Sequence, residues 1–393
     1  VNLPDIRKLA DHEHEEADLV WTQAFRGGNR EALDELRAYR ERFGERIVRF
    51  GVWDSSGMQA TLQMMTGHSY FGPEATLPST YISSIACLPA ARGRDYGGAG
   101  LIHILGHLRE AGQLVTTLCP ANYGYYTRLG WDWVSVRRYY RTPSRVLPVD
   151  PETDRVRAAT IPDRAGISAM YEQFARRYRG MPLRELADWN ELLCSTSTHE
   201  TYTYLYERDG LVEGYLVYGS KGTAEHLFLP EFLCITPRAQ QGLLGLLHRH
   251  SMQVAAFSWD APVDDGLWSQ FLHREMEVNL MPTYVGRVVD VAGALQAWKP
   301  AAADGAFTVE VRDGCAPWND GTWGVEFEAA GVQVHKTDKD ADVRMDIRAF
   351  SQAFFGVLTF DALRRQERLE VVGEVGAGAM SAFLSGPPMW CGP

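Results

Sequence analysis

Cysteine is scarce in this chain, with six among 393 residues: Cys87, Cys119, Cys194, Cys234, Cys315 and Cys391. They are scattered and form no C-x-x-C pair, which argues against a disulfide framework and for reduced thiols. Basic charge is also short. Acidic residues outnumber basic ones by 50 to 39, a net charge of −11. That sign argues against a nucleic-acid binder, which would carry a basic face, and gives a weak preference for cationic ligands. No apolar run approaches the roughly 20 residues that span a bilayer, and no basic-then-apolar leader opens the sequence. The expectation from these absences is a soluble, cytoplasmic protein with neither nucleic acid nor membrane as partner.

What is present is ordinary for a globular protein: 45% apolar and 23% charged residues,. The length is too great for one compact core and predicts two or three domains. To about Pro148, helical and strand patterns alternate. Asp18 to Phe25 and Glu31 to Phe43 have helical spacing, and His12 to Glu16 reads as an acidic, solvated first turn. Ile47 to Trp53, the turn Asp54 to Gly57, and Met58 to Met65 predict a β-hairpin. Tyr81 to Leu88 is a strand stopped by Pro89. Tyr96 to Ala111 is a helix closed by Gly112, and Leu114 to Leu118 is a strand stopped by Pro120. An aromatic strand, Trp131 to Tyr140, follows.

The three prolines of Thr142 to Asp154 mark a linker. Beyond it come a helix, Asp163 to Tyr178, strands Thr201 to Tyr206 and Leu211 to Tyr218, and a strand Phe228 to Ile235. Pro237 then opens a helix to Met252. This order of hairpin, strand and helix echoes the first region and suggests a diverged internal duplication. From about Met281 the texture changes. Strands are predicted at Tyr284 to Val291, Phe307 to Val311, Trp323 to Glu328, Val332 to His335 and Val343 to Ile347, with a helix at Ala349 to Phe355.

The chemistry-bearing window is Ser83 to Gly98: a strand, a tight loop rich in glycine and arginine, then a helix N-terminus. Unpaired N–H groups and a partial positive charge at a helix start suit a pyrophosphate. Gly93, Gly97 and Gly98 let backbone approach it, and Arg92 and Arg94 add charge. Alone, the pattern equally describes a strand-to-helix turn that needs glycine. After the helix come Leu114 to Leu118 and then Tyr125-Tyr126-Thr127-Arg128-Leu129-Gly130-Trp131.

With both segments present, the sequence resembles the GNAT acetyltransferase superfamily over roughly residues 1–145. That superfamily has an Arg/Gln-x-x-Gly-x-Gly/Ala loop after its fourth strand and an aromatic-Tyr-x-x-Leu-Gly-aromatic segment after its fifth. Arg92 to Gly97 fill the loop pattern at all but one position. The departure is Asp95, which stands where the family has glycine. A carboxylate there would repel a pyrophosphate; as a helix N-cap it would instead turn back onto its own helix amides, and that is the expectation.

The resemblance implies acetyl-CoA as co-substrate, held by Ile85, Ala86, Cys87, Arg92, Gly93, Arg94, Asp95, Tyr96, Gly97 and Gly98. It implies that the backbone of Ile85 to Cys87 polarises the thioester carbonyl, and that Tyr126 protonates the departing thiolate. Tyr125 reads as a packed core aromatic. Trp21 and Phe25, four apart on the first helix, read as core or, by resemblance, as walls of the acceptor pocket. His103 and His107 are one turn apart, but no Glu lies between them as in H-E-x-x-H and no third ligand is evident, so no metal is expected.

Thr236 to Gly242 retains one glycine where a second phosphate loop would fall, and reads as a degenerate copy without cofactor. Further stretches extend the resemblance across nearly the whole chain, to acetyltransferases of the enhanced-intracellular-survival (Eis) type. They are Asp188-Trp189, Val285 to Val291, Ala341 to Ile347 with Phe350 to Gly356, and Arg368 to Val371. The implied fold is α/β, with α+β mixed sheets: tandem GNAT folds followed by a sterol-carrier-like α+β domain. The expected divisions are a catalytic domain at 1–147, a degenerate second domain at 148–281 and a sterol-carrier-like domain at 282–393. The resemblance also implies a small-molecule amine acceptor of aminoglycoside or polyamine type, a hexamer, and the terminal carboxylate, here Pro393, as general base. The alternative from another class is a non-catalytic CoA- or lipid-binding protein on inactive GNAT folds, which Asp95 favours and Tyr126 opposes.

Overall fold

The computed structural model describes residues 4–29, 31–193, 201–219, 225–270, 274–302 and 304–392. The chain falls into two compact units. One holds Val1–Ser69, Ala75–Val134 and Tyr284–Gly386; the other holds Tyr70–Glu74, Ser135–Thr283 and Pro387–Pro393. The first unit opens with β1 (Asp5–Lys8), α1 (His14–Phe25), α2 (Glu31–Phe43), β2 (Ile47–Asp54), β3 (Gly57–Phe71), β4 (Thr76–Cys87), α3 (Tyr96–Glu110), β5 (Val115–Leu118) and α4 (Tyr123–Thr127), and β6 (Asp132–Pro143) begins there. The strands β1 to β5 are sheet neighbours in chain order. The β2–β3 hairpin closes on Asp54 opposite Gly57, whose φ of +113° suits glycine,. Helix α3 lays Leu101, Ile104, Leu105 and Leu108 on Val52, Leu62 and Leu118, the i, i+3, i+4, i+7 stripe its sequence predicts. The acidic start of α1 is not all solvated as expected. Glu13 is buried, paired with Arg7 at 2.6 Å and accepting from the Ala10 N–H at 2.8 Å.

The second unit contains β7 (Val156–Ala158), α5 (Arg164–Ala175), β8 (Arg179–Pro182), α6 (Leu186–Leu193), β9 (Thr201–Arg208), β10 (Leu211–Gly219), β11 (Leu227–Leu229), β12 (Glu231–Cys234), α7 (Pro237–Arg249) and β13 (Ala256–Ala261), and β14 (Glu277–Val288) begins there. One antiparallel sheet runs β12-β10-β9-β7. Separately, β13 lies antiparallel to β6 and parallel to β11. The strand expected at Phe228 to Ile235 is therefore two strands in two sheets. Pro230 lies between them, and without an N–H it cannot continue a ladder. The expected linker is also structured. Ser144, Leu147 and Thr153 are buried, and Thr153 fits under α7 where Gly245 has no side chain. The tail packs in this unit: Trp390 is buried, its N–H donates to the Arg179 carbonyl at 2.8 Å, and the Arg179 N–H donates to the Pro388 carbonyl at 3.1 Å.

The chain returns to the first unit with α8 (Val291–Ala297), β15 (Gly305–Arg312), β16 (Gly321–Glu328), β17 (Gly331–Lys336), β18 (Val343–Asp346), α9 (Ile347–Phe355), α10 (Phe360–Arg365), β19 (Leu369–Val371) and α11 (Glu374–Leu384). Its sheet runs β17-β16-β15-β18-β19. Asp290, Asp346 and Thr359 cap α8, α9 and α10 by accepting from N–H groups of the first turn,. Phe307, Phe327, Phe350, Phe354 and Phe383 fill the core. Val285–Val288 of β14 pairs with β5, so this region extends the sheet that β4 and β5 belong to. No helix among the described residues is long and apolar enough to cross a membrane.

Candidate active site

Strands β4 and β5 run parallel from Ser79 opposite Val115 to Ile82 opposite Leu118. There β5 ends and β4 continues to Cys87, leaving Ser83–Cys87 without a β5 partner. Ser84 sits at φ +52° inside this strand. That left-handed conformation is uncommon for a residue with a side chain and re-aims the backbone that follows it. Beyond it the side chains alternate as a strand requires. Ala86 packs into a cluster with Ala17 and Val20 of α1, while Ile85 and Cys87 face a cavity of about 450 Å³.

The loop and α3 form the next wall. Arg92, Gly93, Asp95, Tyr96 and Gly97 line the cavity. Gly93 turns at φ +85°. Gly97 is required by close approach: a Cβ there would lie 2.8 Å from the Tyr125 hydroxyl. Arg92 is exposed and donates to the Ala24 carbonyl of α1 at 3.3 Å. Arg94 is not a cavity residue; it leans 3.8 Å from Asp54 in the β2–β3 turn. Asp54 also accepts from Tyr96 at 2.6 Å, and its bonds from Ser56 and Tyr96 hold its carboxyl at about 2.

Asp95 occupies the N-cap position of α3 at φ +61° with its side chain turned toward its own first turn as expected, but it caps weakly: no full capping hydrogen bond forms, and the Gly98 N–H is its weakest partner. Its carboxylate lies against Gly98, where a Cβ would overlap it. It is gripped across the cavity by Arg128, whose Nη1 donates at 2.9 Å and whose Nη2 also donates, while the Tyr125 hydroxyl donates at 3.3 Å. Arg128 is the main cause holding the Asp95 carboxyl below its usual range, with the Gly98 N–H a weaker one. The competition is won by a full guanidinium charge over a partial helix charge.

The third wall is the turn after β5. Tyr126 is buried yet lines the cavity. Burial first, and the Cys119 thiol second, push its hydroxyl above the usual tyrosine value. Among the described residues, nothing hydrogen-bonds that hydroxyl. Tyr125, expected as core, packs against the core cluster and also lines the cavity, edge-on to Tyr126 at 5.3 Å. Burial, with the Asp95 charge next, raises it to about 12.

Of the predicted residues, Ile85, Cys87, Arg92, Gly93, Asp95, Tyr96, Gly97 and Tyr126 meet at this cavity, while Ala86, Arg94, Gly98, Trp21 and Phe25 do not line it. Trp21 packs on the α1 cluster and Phe25 is half exposed beside it, ring centroids 5.5 Å apart. His103 and His107 both stack edge-on against Phe50. Pro393 lies outside the described residues. Ser84, Asn122 and Arg128 carry no role assigned from the sequence, and Tyr125 is expected only as core. The i, i+3 spacing of Tyr125 and Arg128, one helical turn, was the available signal for that pair; nothing in the sequence marks Ser84.

An unpaired strand edge, a helix start and a poised phenol around one cavity prompt comparison with known proteins. Residues 5–134 and 180–288 match acetyltransferase (GNAT) domains, and residues 291–392 match a sterol carrier protein domain. The chain is built on two GNAT acetyltransferase domains, as N-acetyltransferases are. An uncharacterized N-acetyltransferase of Streptomyces avermitilis is 26% identical over 93% of each chain. One of Streptomyces coelicolor is 26% identical over 90% of each. Among solved structures, a GCN5-related N-acetyltransferase from Anabaena variabilis superposes with a TM-score of 0.87 at 18% identity, covering 99% of both chains. Eis1 from Mycobacterium abscessus superposes with a TM-score of 0.78 at 21% identity, covering 100% of both. The fold is thus two GNAT domains followed by a sterol-carrier-like domain.

The second GNAT domain has the same helix start in altered form. Thr236 caps α7 by accepting from the Ala239 N–H. Arg238 donates from Nε to Glu213 at 2.7 Å, and Thr236 donates to the same carboxylate at 2.7 Å. Gly242 packs against Tyr206 and the Glu152 carbonyl with no room for a Cβ. An internal carboxylate thus already satisfies the cation nearest this helix start.

Proposed function

We propose that the first GNAT domain transfers an acetyl group from acetyl-CoA to an amine by direct attack in a ternary complex. The observation that carries this reading is the single cavity in which the free edge of β4, the α3 N-terminus and the unbonded Tyr126 hydroxyl meet. Its volume of about 450 Å³ falls within the range of small-molecule sites. Arg92 and Arg128 offer cationic charge, Gly93 and Gly97 leave backbone accessible, and Asp95 is the one opposing charge on the wall. The residues suit the co-substrate, with Asp95 as the feature to account for.

In this reading the Ile85–Cys87 backbone holds the pantetheine arm and donates an N–H toward the thioester oxygen, where negative charge develops. The amine forms the new C–N bond as the C–S bond breaks. Tyr126 gives its proton to the departing sulfur. The amine's own proton leaves to a base. The net charge of −11 and the likeness to Eis-type enzymes favour a polycationic acceptor, an aminoglycoside or polyamine. The same likeness favours a hexamer, which light scattering would check. The activity test is mass spectrometry of products after incubation with acetyl-CoA and a panel of polyamines, aminoglycosides and peptides. Acetylation of no panel member, with acetyl-CoA left intact, would overturn the reading.

A further inference from the structure

The Asp95–Arg128 pair is the least expected feature of the cavity. Both side chains are about half exposed, and both line the cavity. Asp95 is held at φ +61° with its carboxylate over Gly98 of the first turn. It therefore stands where an anion bound by this helix start would stand. Arg128 reaches it from the opposite wall, with its guanidinium over the Tyr125 ring at 4.6 Å. Of the two loop arginines, Arg94 is turned away to Asp54, and Arg92 lines the cavity with one donor spent on the Ala24 carbonyl.

We propose that Asp95 is a resident anion in the phosphate seat, and that Arg128 is the cation that passes from Asp95 to the pyrophosphate when a CoA thioester binds. The inference rests on the proposed acetyl-CoA reading and deepens it by naming a specificity-determining pair. The exchange is physically accessible because a solvent-exposed ion pair is weak and readily traded for a stronger anion. It also has a consequence for donor choice. A phosphate-bearing donor must displace the carboxylate, whereas a pantetheine thioester without phosphates does not reach it. Asp95 thus narrows the affinity gap between acetyl-CoA and S-acetylpantetheine.

The test is calorimetric titration of the full chain, as wild type, Asp95→Asn, Arg128→Gln and the double variant, with acetyl-CoA and with S-acetylpantetheine. Asn tolerates the left-handed backbone, so Asp95→Asn removes charge while keeping the turn; Asp95→Gly serves as a second variant. Both Asp95 variants are expected to bind acetyl-CoA roughly three- to tenfold tighter, with S-acetylpantetheine unchanged. Added salt shrinks the gain, and the double variant loses it. Unchanged or weaker acetyl-CoA binding in both Asp95 variants overturns the inference. So does an equal gain for S-acetylpantetheine, or a gain that survives Arg128→Gln. If those results come from a chain that still acetylates amines, only this inference fails. If neither wild type nor the Asp95 variants bind acetyl-CoA at all, the proposed function fails with it.

Discussion

Tyr126 combines two properties a proton donor needs: burial raises its pKa above the ordinary 10.0, and its hydroxyl is not already committed to a protein acceptor. The sign matters. A raised value keeps the proton on at neutral pH and moves its loss further into alkali. An alkaline fall in kcat due to Tyr126 should therefore have its midpoint above the ordinary tyrosine value of about 10. A kcat profile falling with a midpoint near 8 that persisted in Tyr126→Phe would point to another group. The Phe variant keeps the ring that packs on Tyr125 and loses only the donor. Its kcat should drop by about 10²–10⁴-fold, with acetyl-CoA affinity by calorimetry unchanged. Full activity in that variant would pass the acid role to water.

The element that carries Tyr126 is short: α4 spans Tyr123–Thr127, too few residues to hold a side chain in place by helix stability alone. It is fixed at both ends by residues from later in the chain that belong to its own unit. At the start, Tyr123 donates to Asp132 at 2.5 Å, and the same buried carboxylate accepts from Arg348 Nε at 3.0 Å and Arg368 at 3.1 Å. At the end, Arg287 donates to the Leu129 carbonyl at 2.7 Å and pairs with buried Asp313. Replacing Arg287 by Met leaves Asp313 buried without its cation and should cost about 3–5 kcal/mol in denaturant unfolding; a loss under one would mean water reaches the site. Replacing Arg348 and Arg368 by Ala leaves buried Asp132 without its cations and should likewise lower stability,; in the chain that remains folded, acetyl-CoA affinity should hold while kcat falls, by up to about 10²-fold if Tyr126 shifts by an ångström. An unchanged kcat would show that the clamp serves packing only. These contacts also explain what sequence could and could not reveal. Strand, loop and helix from Ser83 to Gly98 were legible because periodicity and glycine placement are local. The Asp95–Arg128 grip and the Asp132 cluster were not, because their partners are separated by 33 and by more than 200 residues. Helix α11 was hidden by its glycines, one of which makes room for Asp342.

At the scale of the whole molecule, the chain carries the strand-then-helix arrangement twice, and the two copies differ in what sits at the helix start. The duplicated order was readable from sequence, because hairpin, strand and proline-opened helix recur. That the second copy splits at Pro230 into strands of two sheets was not, since strand pairing is a long-range property. The first copy keeps an open strand edge at Ser83–Cys87 and a cavity beside it. The second has Glu213 taking bonds from both Thr236 and Arg238, and Arg238 holds that carboxylate below its usual range. A bound phosphate there would have to displace a carboxylate held by two donors, and would find Gly242 already packed against Tyr206. In the first copy the resident carboxylate, Asp95, is half exposed and faces a cavity; Glu213 is mostly buried and faces none of that cavity's walls. The two carboxylates should therefore behave differently toward the same ligand. Acetyl-CoA should bind with a stoichiometry of one per chain, and Glu213→Gln should leave that number unchanged, because removing the charge does not create a pantetheine channel. A calorimetric stoichiometry near two for the wild type would restore the second domain as a cofactor site. A change from one to two in Glu213→Gln would mean that this carboxylate alone had closed it.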